Sequence, residues 1–330
     1  MRKAGVVSVL LVLLVAVAVI AEAQQPKKVP RIGYLTGTRE PTQDAPDANR
    51  DAFRQGLRDL GYVEGKNVLI EYRYGAVNPD RAASLVTELM QLKVDVIVSP
   101  TQPGILAAKQ ATKTIPIVMV TNQDPVAEGF VDSLARPGAN ITGLTRLTRE
   151  LSGKRLELFK EMVPTISRVG VLMADTTTAR NSYKDYEAGA RSLKLTLQSL
   201  EVRNSSPDFE GAFRAAAKER VSALVTLRNP LLIDNRKRIA ELAIQNRLPS
   251  MSEGSVFVEA GILVSYSSDE NHSFRRAATY VDKILKGANP AELPVEQPTK
   301  FEFIINLKAA KQIGVTIPPN VLARADKVIK

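Results

Sequence analysis

Cysteine and tryptophan are absent from the 330 residues, and histidine occurs once, as His272. Without cysteine the chain forms no disulfide and offers no thiol for a bacterial lipid anchor, so core packing alone must hold it together. With one histidine, a transition-metal centre would have to be built from carboxylates, which do not cluster in the sequence; neither a metal nor a cofactor is expected. A Ser-His-Asp triad would have to use His272. Its neighbour Ser273 falls beside it on a predicted helix, where adjacent side chains diverge, and no G-x-S-x-G turn occurs. G-x-G-x-x-G and the P-loop are missing as well, which excludes the dinucleotide and nucleotide fingerprints. No catalytic residue is assigned, and the chain does not read as an enzyme.

Long apolar runs are missing with one exception, at the N-terminus. "MRKAGVVSVLLVLLVAVAVIAEAQQ" sets Arg2 and Lys3 before an apolar run from Val6 to Ile20, broken by Ser8 and closed by Ala21-Glu22-Ala23. The run is short for a membrane span of about 20 residues. It reads as a secretory signal peptide, residues 1–23, cleaved after Ala23 to leave the chain free in the periplasm. The formal charge of +10 invites a nucleic-acid partner. However, "DNRKRIAELAIQNR" and "GKRLELFKEM" place Lys and Arg among apolar residues at helical spacing, without interleaved aromatics; they read as solvated helix faces, and no nucleic acid is expected.

A chain of this length usually divides into two domains. Extended apolar runs alternate with amphipathic stretches: "RIGYLTG" precedes a helix opened by Asp47, with Ala52, Phe53, Leu57 and Leu60 on one face and Gly61 after its end. The unit recurs through "VLIEYRYG", "VDVIVSP" and "IPIVMVTN", the last followed by a predicted helix reaching Arg136. It starts again after "RPGANITGLT" with the helix "ELSGKRLELFKEMVP" and the strands "RVGVLMA", "TLQSLEV" and "SALVTL". Strands apolar on both faces and alternating with helices predict parallel sheets covered on each side. Two doubly wound α/β lobes are expected, joined by a hinge of several crossings.

Hydrogen-bonding residues gather where strands end and helices begin, the place where open α/β sheets hold ligands. In the first lobe these are Thr36, then Thr101 and Gln102, then Asn122 and Asp124. In the second they are Asp175 and Thr178, then Arg228 and Asn229, then Glu253. Each could serve as a cap or turn residue, and Asp124 before Pro125 suits a helix N-cap. Six sets at equivalent strand ends point instead to one ligand-binding crevice, in which Asp124 would meet an ammonium or hydroxyl.

The stretches "AFRQGLRDLGYVEGKNVLIEYRYG", "LKVDVIVSPTQPGILAAKQATKTIPIVMV", "DPVAEGFVDSLARPGANITGLT" and "LPVEQPTKFEFIINLKAAKQIGVTIPPNVLARADKVI" closely resemble the ABC-transporter substrate-binding proteins related to tryptophan-binding TrpX. The resemblance implies a type I periplasmic binding protein with three hinge crossings. One lobe would comprise residues 29–143 plus about 268–298, the other 144–267 plus about 299–330. It further implies a monomer that clamps a small solute, an amino acid or related small acid, and hands it to an ABC permease. The segments "ADTTTARNSY" and "SMSEG" depart from the family's pocket pattern, so the resemblance does not name the solute. Two other classes fit the same fold: a ligand-binding partner of an extracytoplasmic sensor, and a secreted enzyme, which would need a base. A transcriptional regulator would carry an N-terminal helix-turn-helix where this chain has its apolar leader.

Overall fold

The computed structural model describes residues 28–43, 46–146, 151–298 and 301–330; the expected signal peptide and its cleavage site lie outside the described residues. The first sheet contains β1 (Arg31–Leu35), β2 (Leu69–Arg73), β3 (Val96–Ser99), β4 (Ile117–Thr121) and β5 (Ile141–Thr145), in the order β2-β1-β3-β4-β5. All its pairings are parallel. β3 and β4 are buried at every position, which is why they read as unbroken apolar runs, whereas the edge strand β2 is half-buried throughout.

Helices α1 (Ala48–Asp59), α2 (Pro79–Gln91) and α3 (Gln102–Ala111) connect these strands. Each starts on a side-chain cap, from Asp47, Asn78 and Thr101 respectively. The helix expected from Pro125 to Arg136 is replaced by turns. The Phe130 N–H bonds back to the Pro125 carbonyl, Gly129 takes φ +66°, and the Ser133 hydroxyl ties to the Arg136 backbone, so the chain turns away before a second helical turn forms.

The second sheet has seven strands. In chain order they are β6 (Arg168–Ala174), β7 (Thr196–Val202), β8 (Ala223–Thr226), β9 (Ser250–Ser252), β10 (Val264–Ser268), β11 (Phe301–Asn306) and β12 (Lys327–Ile329). Their spatial order is β12-β11-β10-β9-β8-β6-β7. Its helices are α4 (Ser152–Met162), α5 (Thr177–Ser192), α6 (Phe209–Lys218), α7 (Pro230–Asp234), α8 (Arg236–Gln245) and α9 (Ser255–Ala260). Two core clusters cover the two faces of this sheet, one under α4 and α5 and the other under α6, α8 and α9.

After β10 the chain leaves the second sheet and forms α10 (Glu270–Leu285), which lies on α1 in the first lobe. Gly56 permits that packing, because a Cβ there would fall 2.6 Å from the Arg275 carbonyl oxygen. The returning segment pairs with β5, where the Thr145 N–H donates to Glu296 O at 2.9 Å. Re-entering from the hinge end, β11 runs antiparallel to β10, the one reversed pairing among the ladders described. The chain ends on α11 (Leu307–Ile313), α12 (Pro319–Leu322) and the short β12, a strand that the sequence pattern did not announce. Three crossings thus join the lobes: after β5, after β10 and before β11.

Candidate ligand crevice

The segments that follow the strands of the two sheets meet across a crevice. The Thr178 hydroxyl, at the start of α5, donates to Gln102 Oε1 at 2.5 Å. The Arg39 N–H donates to Asp234 Oδ2 at 3.1 Å. Gly37 lies so near Pro230 that an added Cβ would stand 2.6 Å from the proline Cγ. The lobes are therefore closed on one another.

The predicted residues divide into four groups. Gln102 and Thr178 join the lobes, and Gln102 Nε2 also donates to Glu128 at 2.5 Å. Arg228 and Glu253 are drawn together, the Arg228 N–H donating to Glu253 Oε2 at 2.9 Å. Thr36, Thr101, Asn122 and Asn229 stay at strand ends, but two of them serve as caps: Thr101 accepts from the Gly104 N–H and Asn229 from the Leu232 N–H. Thr36 is buried and its Oγ1 is 3.2 Å from that of Thr38, while Asn122 is half-buried. Asp124 and Asp175 are exposed. Asp124 Oδ1 accepts from the N–H groups of Val126 and Ala127, and Asp175 Oδ1 from that of Asn204. The contacts of Asp124 are those of a turn residue, while Asp175 ties its loop to the segment that follows β7.

Beneath the crevice, at the hinge, lies a buried charge network. Arg146 follows β5 on the first crossing, and Glu270 opens α10 just after the second; they are 3.4 Å apart. Arg228 Nη2 reaches Glu270 at 2.7 Å. Glu253 accepts from Arg155 Nη1 at 3.2 Å and from the Tyr186 hydroxyl at 2.8 Å, while Arg155 Nε donates to the Tyr266 carbonyl at 2.8 Å. Burial holds the Tyr186 phenol protonated, reinforced by the Glu253 charge against the opposing pull of Arg155. Among the described residues, Arg146, Arg155 and Arg228 face Glu253 and Glu270 here. The Arg146 guanidinium is pushed down to about 10 by burial and by the nearby Arg228, with Glu270 and Glu253 offsetting part of the effect. Arg146 Nε, Arg228 Nη1 and Asn229 Nδ2 are buried donors without a partner.

Sequence reasoning missed most of this network. Arg155 sits in "GKRLELFKEM", read as a solvated face; Lys154 is indeed exposed, but Arg155 is 0% exposed. Its position beside Leu156 and one turn from Phe159 places it on the apolar stripe, and that spacing was the available signal. Arg146 and Glu270 gave none, because their proximity depends on two hinge crossings far apart in sequence. A second group was also missed. Asp47 caps α1, and burial, with the Asp47 charge adding to it, raises both the Tyr34 phenol and the Asp234 carboxyl of the opposite lobe. His272 is elsewhere, on a hollow of about 300 Å³ at the hinge that it shares with Glu259, Asp269 and Lys327.

Two mostly parallel α/β lobes, three crossings and a crevice at the strand ends define a type I periplasmic binding protein. The family described as "ABC transporter substrate binding protein" matches residues 42–329, and the chain belongs to that family. It is similar to the tyrosine-binding protein of Clostridioides difficile (strain R20291), with 25% identity over 289 residues, covering 88% of this chain and 82% of that protein. Among solved structures it resembles a conserved domain protein from Vibrio cholerae O1 biovar eltor, with a TM-score of 0.82 and 30% identity over 91% of this chain and 100% of that one. It also shares its fold with an ABC domain from Streptococcus pneumoniae crystallised with L-Trp, at a TM-score of 0.78 and 23% identity, over 91% and 99% of the two chains.

Proposed function

We propose that this chain is the extracytoplasmic solute-binding component of an ABC importer, clamping an amino acid or related small acid between its lobes and delivering it to a membrane permease. It works as a monomer in the periplasm after cleavage following Ala23, and performs no catalysis. The observation that carries the reading is the set of buried donors without a partner at the hinge, Arg146 Nε, Arg228 Nη1 and Asn229 Nδ2. A buried donor left unsatisfied is costly, more so on a charged group, and a solute carboxylate placed against these three would supply the missing acceptors. Thr36, Gln102, Asn122 and Thr178 then line the remainder of the crevice. Similarity to a tyrosine-binding protein supports the same class of solute.

Thermal denaturation of the mature chain with a panel of amino acids and small carboxylic acids tests this. A ligand at 100 times its dissociation constant adds about 2.7 kcal/mol, a shift of very roughly 5 to 10 °C. Amides of the same compounds should produce no shift. A melting curve that no acid moves would reject the reading.

A further inference from the structure

We infer that Glu270 of the first lobe is a positioning residue for the solute site: it orients the Arg228 guanidinium of the second lobe, with Arg146 on the same carboxylate, so that the donors left on both meet the solute. This rests on the reading above, that an acid binds against these arginines, and names the residue that prepares them.

Glu270 gives one oxygen to each guanidinium. Oε2 stands 2.7 Å from Arg228 Nη2 and Oε1 3.4 Å from Arg146 Nη1, and the side chains of Glu270, Arg146 and Arg228 are 4%, 5% and 6% exposed. Neither oxygen accepts an aligned hydrogen bond among the described residues, so both contacts act through charge. Each guanidinium keeps a donor beyond the pair, Arg146 Nε and Arg228 Nη1, both buried without a partner.

Both ends of the Arg228–Glu270 contact are firmly mounted. Glu270 is the first residue of α10, where the helix dipole favours a carboxylate, and the Asp269 cap accepts from the His272 N–H at 2.9 Å. On the other side, the Arg228 N–H donates to Glu253 Oε2 at 2.9 Å, and Asn229 caps α7. Arg228 is thus fixed at its backbone by one glutamate and at its guanidinium by another, which leaves Nη1 as its open end.

Gly254 shows how closely the pair is fitted. A Cβ there would stand 2.8 Å from both Arg228 Nη1 and Glu270 Oε1. The backbone at Gly254 is extended, with φ −177°, a conformation open to any residue, so the need for glycine comes from this approach.

Ordering a long side chain weakens binding when the solute itself must do it. Glu270 orders the Arg228 fork beforehand and stands between two like charges that would otherwise drive each other apart, since Arg228 already lowers the proton affinity of the Arg146 guanidinium. The negative charge of Glu270 also opposes a solute carboxylate. The direction in which affinity moves when that charge is removed therefore tells positioning from simple repulsion.

Calorimetric titration with L-tyrosine and L-tryptophan of the mature wild type, Glu270→Gln, Arg228→Gln and the double variant Glu270→Gln/Arg228→Gln tests the inference. Glu270→Gln keeps the size of the side chain and should weaken binding about 3- to 10-fold. In the Arg228→Gln background the same change should alter affinity by less than about twofold, since the group it positions is gone. Gly254→Ala keeps both charges and drives a methyl between them; it should weaken binding by a similar factor, and it decides the matter where a charge variant fails to fold or binds too weakly to titrate. A pair that serves structure alone would lower the melting temperature in Glu270→Gln and Gly254→Ala and leave the affinity of the folded chain unchanged, which overturns the inference while the acid-binding reading stands. Tighter binding in Glu270→Gln overturns it as well, as does an equal loss in the Arg228→Gln background. A wild type that binds neither probe overturns it too, and the acid panel above then decides separately on the acid-binding reading.

Discussion

The Thr178 hydroxyl reaches across the crevice to Gln102 Oε1 at 2.5 Å, tying the start of α5 in one lobe to the start of α3 in the other. Gln102 is held ready for this contact by its second bond, from Nε2 to Glu128. The link exists when the lobes are closed and is broken when they part, so it weights the closed state. Thr178→Val keeps the shape of the side chain and removes the donor. A net hydrogen bond is worth about 0.5 to 1.5 kcal/mol, so solute should bind about 2- to 10-fold more weakly in calorimetry while the melting temperature of the unliganded chain stays within about 1 °C. A large fall in that temperature would mean that Thr178 supports its own lobe instead of the latch.

Gly37 and Pro230 approach so closely across the crevice that a side chain at position 37 would collide with the proline ring. The Gly37→Ala Cβ would lie 2.6 Å from the Pro230 Cγ, part of a rigid ring on the opposite lobe. Relief requires the lobes to separate, since the ring cannot swing aside. The unliganded stability should change little, and affinity should fall by about tenfold or more, the equivalent of at least about 1.4 kcal/mol. Small-angle scattering at saturating solute should then show a larger radius of gyration than the wild type. A variant that contracts like the wild type would show that this contact yields.

Much of the architecture was legible because it is local. Unbroken apolar runs such as "VDVIVSP", followed by a capped helix, specify a buried parallel strand and its crossover wherever they occur. The turns at 125–130 misled because Asp124-Pro125 begins a turn as well as it begins a helix, and the deciding φ at Gly129 belongs to a residue that tolerates either sign. The crevice was half legible. Strand ends such as Gln102, Thr178 and Arg228 follow from topology, but a strand end does not reveal whether its side chain faces the crevice, caps the next turn as Asp124 does, or ties to a neighbouring loop as Asp175 does. Arg146 and Glu270 come together through the hinge, a long-range relationship that composition and period cannot carry.

The strap that returns from the first lobe is pinned by Arg276, whose Nε and Nη2 reach the two oxygens of Glu296 at 2.8 and 2.6 Å. The Arg276 hydrogen bond holds the Glu296 carboxyl below its ordinary range, with burial opposing. A depressed carboxyl contributes stability that is present above the unfolded value, about 4.3, and is lost as pH falls through the folded value. Since both side chains are about one-third exposed, solvent screens the pair and about 0.5 to 1 kcal/mol is the expected size. The wild type should therefore melt about 1 to 3 °C above Arg276→Gln at pH 6 to 7, and the gap should close on acidification below pH 4. A gap that does not vary with pH would assign the pair to packing alone.

Glu253 and Arg155 form the most deeply buried of the ion pairs described, with side chains 5% and 0% exposed. Glu253 also accepts from the Tyr186 hydroxyl and the Arg228 N–H, so its three contacts join α4, α5 and the end of β8 to the end of β9. Glu253→Ala takes a carboxylate away from a guanidinium with no exposure to water, which should cost about 3 to 5 kcal/mol and lower the melting temperature by on the order of 10 °C. At the surface, Glu157→Ala breaks a pair with Lys154 that is 40% and 46% exposed; about 0.5 kcal/mol or less is expected there. The double variant Arg155→Met/Glu253→Leu removes both buried charges together and should regain at least half of what Glu253→Ala loses, because no charge of the pair is then left buried without its partner in the pair. If the double variant melts no higher than Glu253→Ala, the loss arises from the Tyr186 and Arg228 contacts, and Glu253 stabilises the hinge as an acceptor for them instead of as the partner of Arg155.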